Sequence, residues 1–113
     1  DGVLRKLETE LASTASREPV QLERLCRLAK RLVAFYIPHD LTGLTSPETR
    51  LIADSLLKGD ERARSSAEIV RLLADIEDHQ YQPRKEGAES TIRSAAEKLA
   101  TLFSVHIRRH KPL

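Results

Sequence analysis

Residues 22–36 read LERLCRLAKRLVAFY, and this stretch decides the fold class of the 113-residue chain. Its apolar side chains recur three or four residues apart, which is the spacing of one face of an α-helix, whereas a half-buried strand alternates at every second residue. The expected inner face consists of Leu22, Leu25, Cys26, Ala29, Leu32, Val33 and Tyr36. Pro38 predicts the end of the helix, because proline cannot continue the backbone hydrogen-bond ladder.

Helical signals extend outward from this stretch in both directions. The predicted architecture is an all-α, compact bundle of five short helices, at about residues 2–13, 17–37, 47–58, 66–80 and 88–109. Ser16, Ser46 and Ser65 are the expected N-caps, and Ser65 forms a capping box with Glu68. Gly59 follows the third helix, where a left-handed residue commonly ends a helix.

The buried faces of the helices follow from the same spacing. In the third helix, Leu51 and Leu56 are expected to face inward. In the fifth helix, Ala95 and Ala96 would allow a neighbouring helix to approach closely. We therefore expect the second and fifth helices to form the centre of the core.

Composition restricts the function without specifying it. The chain is 40% hydrophobic, and its nineteen basic and seventeen acidic residues give a net charge of only +2, too small to indicate a nucleic-acid binder. The longest apolar run, residues 32–37, is far shorter than the ~20 residues that cross a bilayer. Cys26 is the only cysteine, which excludes an intramolecular disulfide. Residues 1–113 are expected to form one domain, excised from a longer protein because the sequence contains no Met.

His106 and His110 are the candidate metal ligands. Four residues apart on a helix, two imidazoles stand one above the other and can share a metal ion. A zinc-protease helix carries Glu directly after its first His, but this position is Ile107, and no nearby side chain completes a four-ligand set. The prediction is therefore no metal and no cofactor, with basic residues at the negative end of a helix dipole.

His39 is the candidate phosphoacceptor. Residues 39–43, HDLTG, resemble the His-x-Leu-Lys-Gly motif of histidine-phosphotransfer domains, which implies a phosphoryl carrier. Thr42 stands where that motif has Lys, and Pro38 and Gly43 favour a loop over a continued helix. An ordinary loop is the preferred interpretation.

Five cations give the second helix a basic outer face: Arg17, Arg24, Arg27, Lys30 and Arg31. This face is either simply solvated or a docking surface for an acidic protein or anionic lipid head groups. No aromatic side chain is interleaved to stack on bases, so nucleic acid is not favoured.

A helix-turn-helix reading of the third and fourth helices fails on two counts. The connection between Gly59 and Ser65 is longer than the usual turn. The fourth helix would also repel the DNA backbone, because its predicted solvent-exposed face carries Asp75, Glu77 and Asp78.

Residues 41–103 resemble a known class of domain. The sequence LTSPE at 44–48 opens a short helix, a helix with Leu72, Leu73 and Asp75 follows, then Tyr81 and Pro83, and an Ala-rich helix comes last. This order is similar to the helical cytoplasmic tails of BatD-like (aerotolerance-cluster) bacterial membrane-anchored proteins. The resemblance implies a non-enzymatic assembly domain on the cytoplasmic side of a membrane.

The function predicted from the sequence is a non-enzymatic protein–protein interaction domain of a larger bacterial protein, in the cytoplasm or as the tail of an inner-membrane protein. The partner is another protein, with an anionic membrane surface as a further candidate. The predicted binding surface is a groove between the second and fifth helices, edged by Arg24, Arg27, Arg31, His106 and Arg109. The alternative is a signalling or regulatory bundle that uses histidine for phosphotransfer or metal sensing, and a DNA-binding domain ranks below both.

Overall fold

Five α-helices make up the described part of the chain, residues 2–80 and 87–113 of a computed structural model. They are α1 (Gly2–Ser16), α2 (Leu22–Val33), α3 (Ser46–Leu56), α4 (Glu61–Gln80) and α5 (Ala88–Arg109). No strand occurs in these ranges, and the predicted all-α fold is confirmed. Tyr81 and Pro83, which enter the family resemblance, lie outside the described residues.

Four of the helices form a closed ring. α1 packs against α2 and α5, α4 packs against the same two helices, and α3 lies outside the ring on α4. The second and fifth helices, expected to form the centre of the core, therefore lie across the ring from each other and do not pack together. Both supply buried side chains, but each packs mainly on α1 and α4.

The width of the buried face of α4 explains this arrangement. Its buried residues are Ser66, Ala67, Ile69, Val70, Leu73, Ala74, Ile76 and Glu77. They occupy two adjacent positions in each turn, so the stripe is broad enough to contact a neighbour on either side. Small side chains such as Ala67 and Ala74 let those neighbours come close.

The connection between α1 and α2 differs from the prediction. Ser16 is the last residue of α1, and its hydroxyl donates to the carbonyl of Ser13 instead of capping α2. α2 begins at Leu22, after Gln21 as N-cap. Pro19 disfavours a helical conformation at the preceding Glu18, so the helix does not extend back to residue 17 as predicted.

The C-terminal end of α2 is also shorter than expected. α2 ends at Val33, and the chain continues in tight turns in which the amide of Tyr36 donates to the carbonyl of Val33 at 2.8 Å. Pro38 disfavours a helical conformation at the preceding Ile37. Tyr36 and Ile37 are nevertheless buried, as the apolar spacing suggested for Tyr36.

Thr45, not Ser46, caps α3. Thr45 and Glu48 form a capping box, in which the Thr45 side chain accepts from the amide of Glu48 and the Glu48 carboxylate accepts from the amide of Thr45. The hydroxyl of Ser46 instead donates to the carboxylate of Asp78, which fastens α3 to α4.

The inner face of α3 and the role of Gly59 also need correction. Leu51 is 69% exposed, while Thr49, Ala53 and Leu56 are buried. Left-handed backbone occurs at Gly43 and Gly87 and not at Gly59. A Cβ atom at Gly59 would lie 2.6 Å from the Cβ of Ala63, so this glycine permits a close approach between consecutive helices.

α4 begins earlier than predicted. The Asp60 carboxylate accepts from the amide of Ala63, and the helix runs from Glu61. Ser65 and Glu68 therefore lie inside the helix, and the predicted capping box is not formed. The predicted span of the fifth helix, 88–109, is confirmed.

Candidate binding groove along the second helix

The outer face of α2 carries three exposed guanidinium groups, from Arg24, Arg27 and Arg31. They are three and four residues apart, so they share one side of the helix while its apolar side chains face the core. Within residues 2–80 and 87–113, none of the three forms an ion pair. Arg17, predicted on the same face, lies in the connection before α2.

Arg50 of α3 and Arg71 of α4 do have carboxylate partners. Arg50 donates to Asp75 at 2.6 Å and to Asp78 at 2.7 Å, and Arg71 donates to Asp54 at 3.1 Å. These bonds join α3 to α4. The three α2 guanidinium groups make no equivalent bond in the described chain, so their charge is available to another molecule.

An open groove of about 440 Å³ lies beside these arginines. Arg27, Lys30 and Arg31 line it from α2, together with the buried Cys26 and Glu77. The rest of the lining comes from Thr42 and Gly43 in the turn before α3, from Gln80 at the end of α4, and from Glu23.

A neighbouring hollow of about 540 Å³ continues the groove toward the start of α2. It shares Glu23, Arg27 and Gln80 with the first and adds Val20 and Arg24 to the lining. We call the two together the α2 groove. It follows the whole length of the basic face.

A buried ion pair lies in the α2 groove. Lys30 Nζ is 2.9 Å from Glu77 Oε1, and the two side chains are only 16% and 8% exposed. Glu77 was expected on the wet side of its helix with Asp75 and Asp78, and this prediction is wrong for Glu77. Because Glu77 neutralises Lys30, the excess positive charge of the groove comes from the three exposed arginines, which outnumber the one other lining carboxylate, Glu23.

Asp78 also differs from a simply solvated residue. It accepts hydrogen bonds from Ser46 and Arg50, which hold the pKa of the Asp78 carboxyl below its usual range. Asp75, with a side chain 54% exposed, matches the predicted wet side most closely.

Cys26 is chemically quiet at neutral pH. Burial, together with the nearby carboxylate of Glu77, raises the pKa of its thiol to about 12. The thiolate is the form that attacks electrophiles and binds metals. Cys26 therefore contributes a small apolar surface to the groove and no nucleophile.

His106 is buried and does not edge a surface groove as predicted. It is 2% exposed, with Nδ1 3.0 Å from the hydroxyl of Ser65 and Nε2 3.3 Å from the hydroxyl of Ser66. Its ring packs edge-on against Tyr36, with 4.5 Å between ring centroids. Arg109 is exposed, but no residue of α5 lines the α2 groove. Of the five predicted surface residues, the structure brings together only the three arginines of α2.

The surroundings of His106 keep its ring neutral and provide a hydrogen-bond partner for each ring nitrogen. Burial, together with the nearby charges of His110 and Arg62, lowers the pKa of His106 from 6.5 to about 4. The His110 ring is 4.7 Å away, centroid to centroid. Both nitrogens of His106 lie against serine hydroxyls, so neither is free to bind a metal. The residues that the structure describes contain no group of three or more His, Cys, Asp or Glu placed to hold a metal ion.

His39 lies in the exposed connection between α2 and α3. The backbone there is not helical, as expected from Pro38, and the amide of Thr42 donates to the carboxylate of Asp40. A phosphotransfer histidine of the kind that the motif implies stands in the middle of a helix, and His39 does not.

Several groove residues carry no signal in the sequence. Thr42, Gly43 and Gln80 reach the groove only through the tertiary fold, and no local pattern marks them. Glu77 did carry a signal, because it lies four residues after Leu73 and three after Ala74 and so falls on the buried stripe of α4. A carboxylate on such a stripe calls for a cation from a facing helix.

None of the described helices combines the length and the apolar character needed to cross a bilayer. Searches of protein-family models, curated proteins and solved structures find no match to this chain.

Proposed function

We propose that this chain is a non-enzymatic protein–protein interaction domain that binds an acidic segment of a partner protein in the α2 groove. The observation that carries the proposal is the row of three exposed guanidinium groups without carboxylate partners beside an open groove. Arginine suits this purpose because its planar fork binds a carboxylate through two parallel hydrogen bonds.

An acidic protein segment fits the site better than a lipid surface. A helix that binds a membrane inserts an exposed apolar face below the head groups. The apolar residues of α2 are already buried in the bundle, including Leu22, Leu25, Leu28 and Leu32. What remains on the outside is charge and a concave groove, which a flat lipid surface cannot fill.

Two further observations support a binding role over a catalytic one. The only thiol is protonated at neutral pH, because burial raises the pKa of Cys26 to about 12. The neutral imidazole of His106 is enclosed by two serine hydroxyls below the surface. Neither group is placed to attack a substrate. A role as an assembly domain is also what the resemblance to BatD-like tails implies, and that resemblance stays a hypothesis.

Charge reversal in the α2 groove tests the proposal. A fluorescent glutamate-rich peptide is titrated at low salt with the wild-type chain and with the double variant Arg27→Glu/Arg31→Glu. We expect the double variant to bind at least about tenfold more weakly, because two attractive contacts become repulsive. Added salt should weaken wild-type binding, since exposed charges are screened.

The matched control is Arg5→Glu/Lys6→Glu, which changes the net charge equally through two exposed cations of α1. Equal losses in both double variants would mean that only net charge matters and would remove the α2 groove from the proposal. Unaltered binding by Arg27→Glu/Arg31→Glu would refute it. Phosphatidylserine vesicles that bind more tightly than the peptide, with the same dependence on Arg27 and Arg31, would replace the protein partner with a membrane.

A further inference from the structure

The spacing of the three arginines narrows the kind of segment that the groove accepts. Arg24, Arg27 and Arg31 are separated along α2 by rises of about 4.5 Å and about 6 Å. The charges thus form a row about 10 Å long on one face of a straight helix. A second helix with acidic residues at positions i, i+3 or i+4, and i+7 presents the same row of charges with the opposite sign.

The dimensions of the α2 groove agree with a helix as its occupant. From Gln21 to Arg31 the lining residues of α2 cover about 15 Å, which is about three helical turns. Beyond α2, the described lining residues are Val20, Glu77 and Gln80 of α4, and the turn at Thr42 and Gly43. A partner helix of three to four turns would place its charged row against the arginines and a small apolar side chain against Cys26.

Backbone hydrogen bonding favours a helical over an extended occupant. An extended peptide gains affinity when it adds a strand to the edge of a sheet, where free amide and carbonyl groups await it. The described residues contain no strand, and the backbone of α2 is bonded within its own helix. A helix brings its backbone already satisfied and needs only side-chain contacts.

From these observations, and resting on the proposed function, we infer that the α2 groove recognises an amphipathic helix whose acidic residues are spaced i, i+3 or i+4, i+7. Recognition depends on the positions of the carboxylates and not only on their number. Helix-in-groove binding of this kind is read through side chains one helical turn apart.

Two synthetic peptides of identical composition test the inference. Both are Ala-rich, about sixteen residues long and held helical by side-chain staples. One carries three Glu at i, i+3 and i+7, and the other distributes them around the helix. We expect the first to bind about fivefold more tightly at low salt, which corresponds to about 1 kcal/mol.

A variant pair assigns the preference to the row of arginines. Arg24→Gln should reduce the fivefold preference to about twofold, whereas Arg17→Gln, which removes an exposed cation outside α2, should leave it unchanged. Equal binding of both peptides, with binding lost in Arg27→Glu/Arg31→Glu, would overturn the helical register and leave the proposed function standing. Binding of neither peptide, or binding insensitive to Arg27→Glu/Arg31→Glu, would overturn both.

Discussion

His106 shows how burial changes the chemistry of a single residue. Its sequence neighbours Arg108, Arg109 and Lys111 are typical of an exposed basic helix end, where His106 was predicted to lie. Helical spacing contained the contrary signal, since His106 lies three residues after the buried Phe103 and seven after the buried Leu99. A polar residue on an apolar stripe is more often a hydrogen-bonded core residue than a surface group.

The low pKa of His106 predicts a loss of stability in mild acid. The folded chain keeps the ring neutral down to about pH 4, whereas the unfolded chain takes up a proton near the ordinary pKa of 6.5. Stability contributed by His106 is therefore complete above pH 6.5 and falls as the pH drops toward 4. Between pH 7 and pH 5 the expected loss is about 2 kcal/mol, measured as a shift of the urea midpoint.

His106→Gln supplies the comparison, because glutamine does not titrate. The free energy of unfolding of His106→Gln should fall less between pH 7 and pH 5 than that of the wild type. All other titrating groups are the same in the two proteins, so the difference between the two pH curves reports His106. The control is His39→Gln, at an exposed position, whose loss of stability between pH 7 and pH 5 should match that of the wild type. Parallel pH curves for the wild type and His106→Gln would contradict the buried, neutral histidine.

At the scale of the element, the start of α3 depends on one hydroxyl. Thr45→Ala removes the acceptor for the amide of Glu48 and should lower the free energy of unfolding by about 1 kcal/mol. For a domain of this size the melting temperature should fall by about 4 °C, measurable by circular dichroism. Thr45→Ser keeps the hydroxyl and should retain most of the stability; an equal loss in both variants would argue against capping as the cause.

The helices themselves were largely predictable, while their ends were not. Apolar periodicity identified all five described helices. Each helix buries a stripe of apolar residues three or four positions apart, a spacing that a strand does not produce. The predicted caps at Ser16, Ser46 and Ser65 do not form, because each of these hydroxyls bonds to another group. Ser16 bonds to its own helix, Ser46 to Asp78, and Ser65 to His106.

At the scale of the whole molecule, the contact between α2 and α4 closes the ring and contains the Lys30–Glu77 pair. Glu77→Gln should destabilise the fold by about 2 kcal/mol, because it leaves a largely buried ammonium without its counter-ion. A double-mutant cycle with Lys30→Gln should give a clear coupling energy, measured by urea unfolding. The second change removes the unpaired charge and should restore part of the lost stability.

The Arg71–Asp54 pair is the matched control for that cycle. Its two side chains are both 59% exposed, so its coupling energy should be close to zero. Equal coupling energies in the two cycles would contradict the role of burial.

In the candidate site, too, features formed by residues close in sequence were predictable, and features formed by distant segments were not. The row of arginines on α2 was predictable, because its spacing is local and its helix was recognised. The groove beside it was not, because Thr42, Gly43, Glu77 and Gln80 come from segments that approach α2 only in the folded chain. The predicted groove between the second and fifth helices is not formed, because α1 and α4 lie between these two helices in the folded chain.

The quiet thiol of Cys26 has a practical consequence for studying this protein. Maleimide and related dyes react with thiolates, and a buried thiol whose pKa is about 12 offers them almost none at neutral pH. A cysteine introduced at an exposed position of α5, such as Thr101→Cys, would be labelled selectively without removing the native one. A single dye could thus be attached outside the α2 groove, leaving the groove unaltered while its occupant is observed by fluorescence.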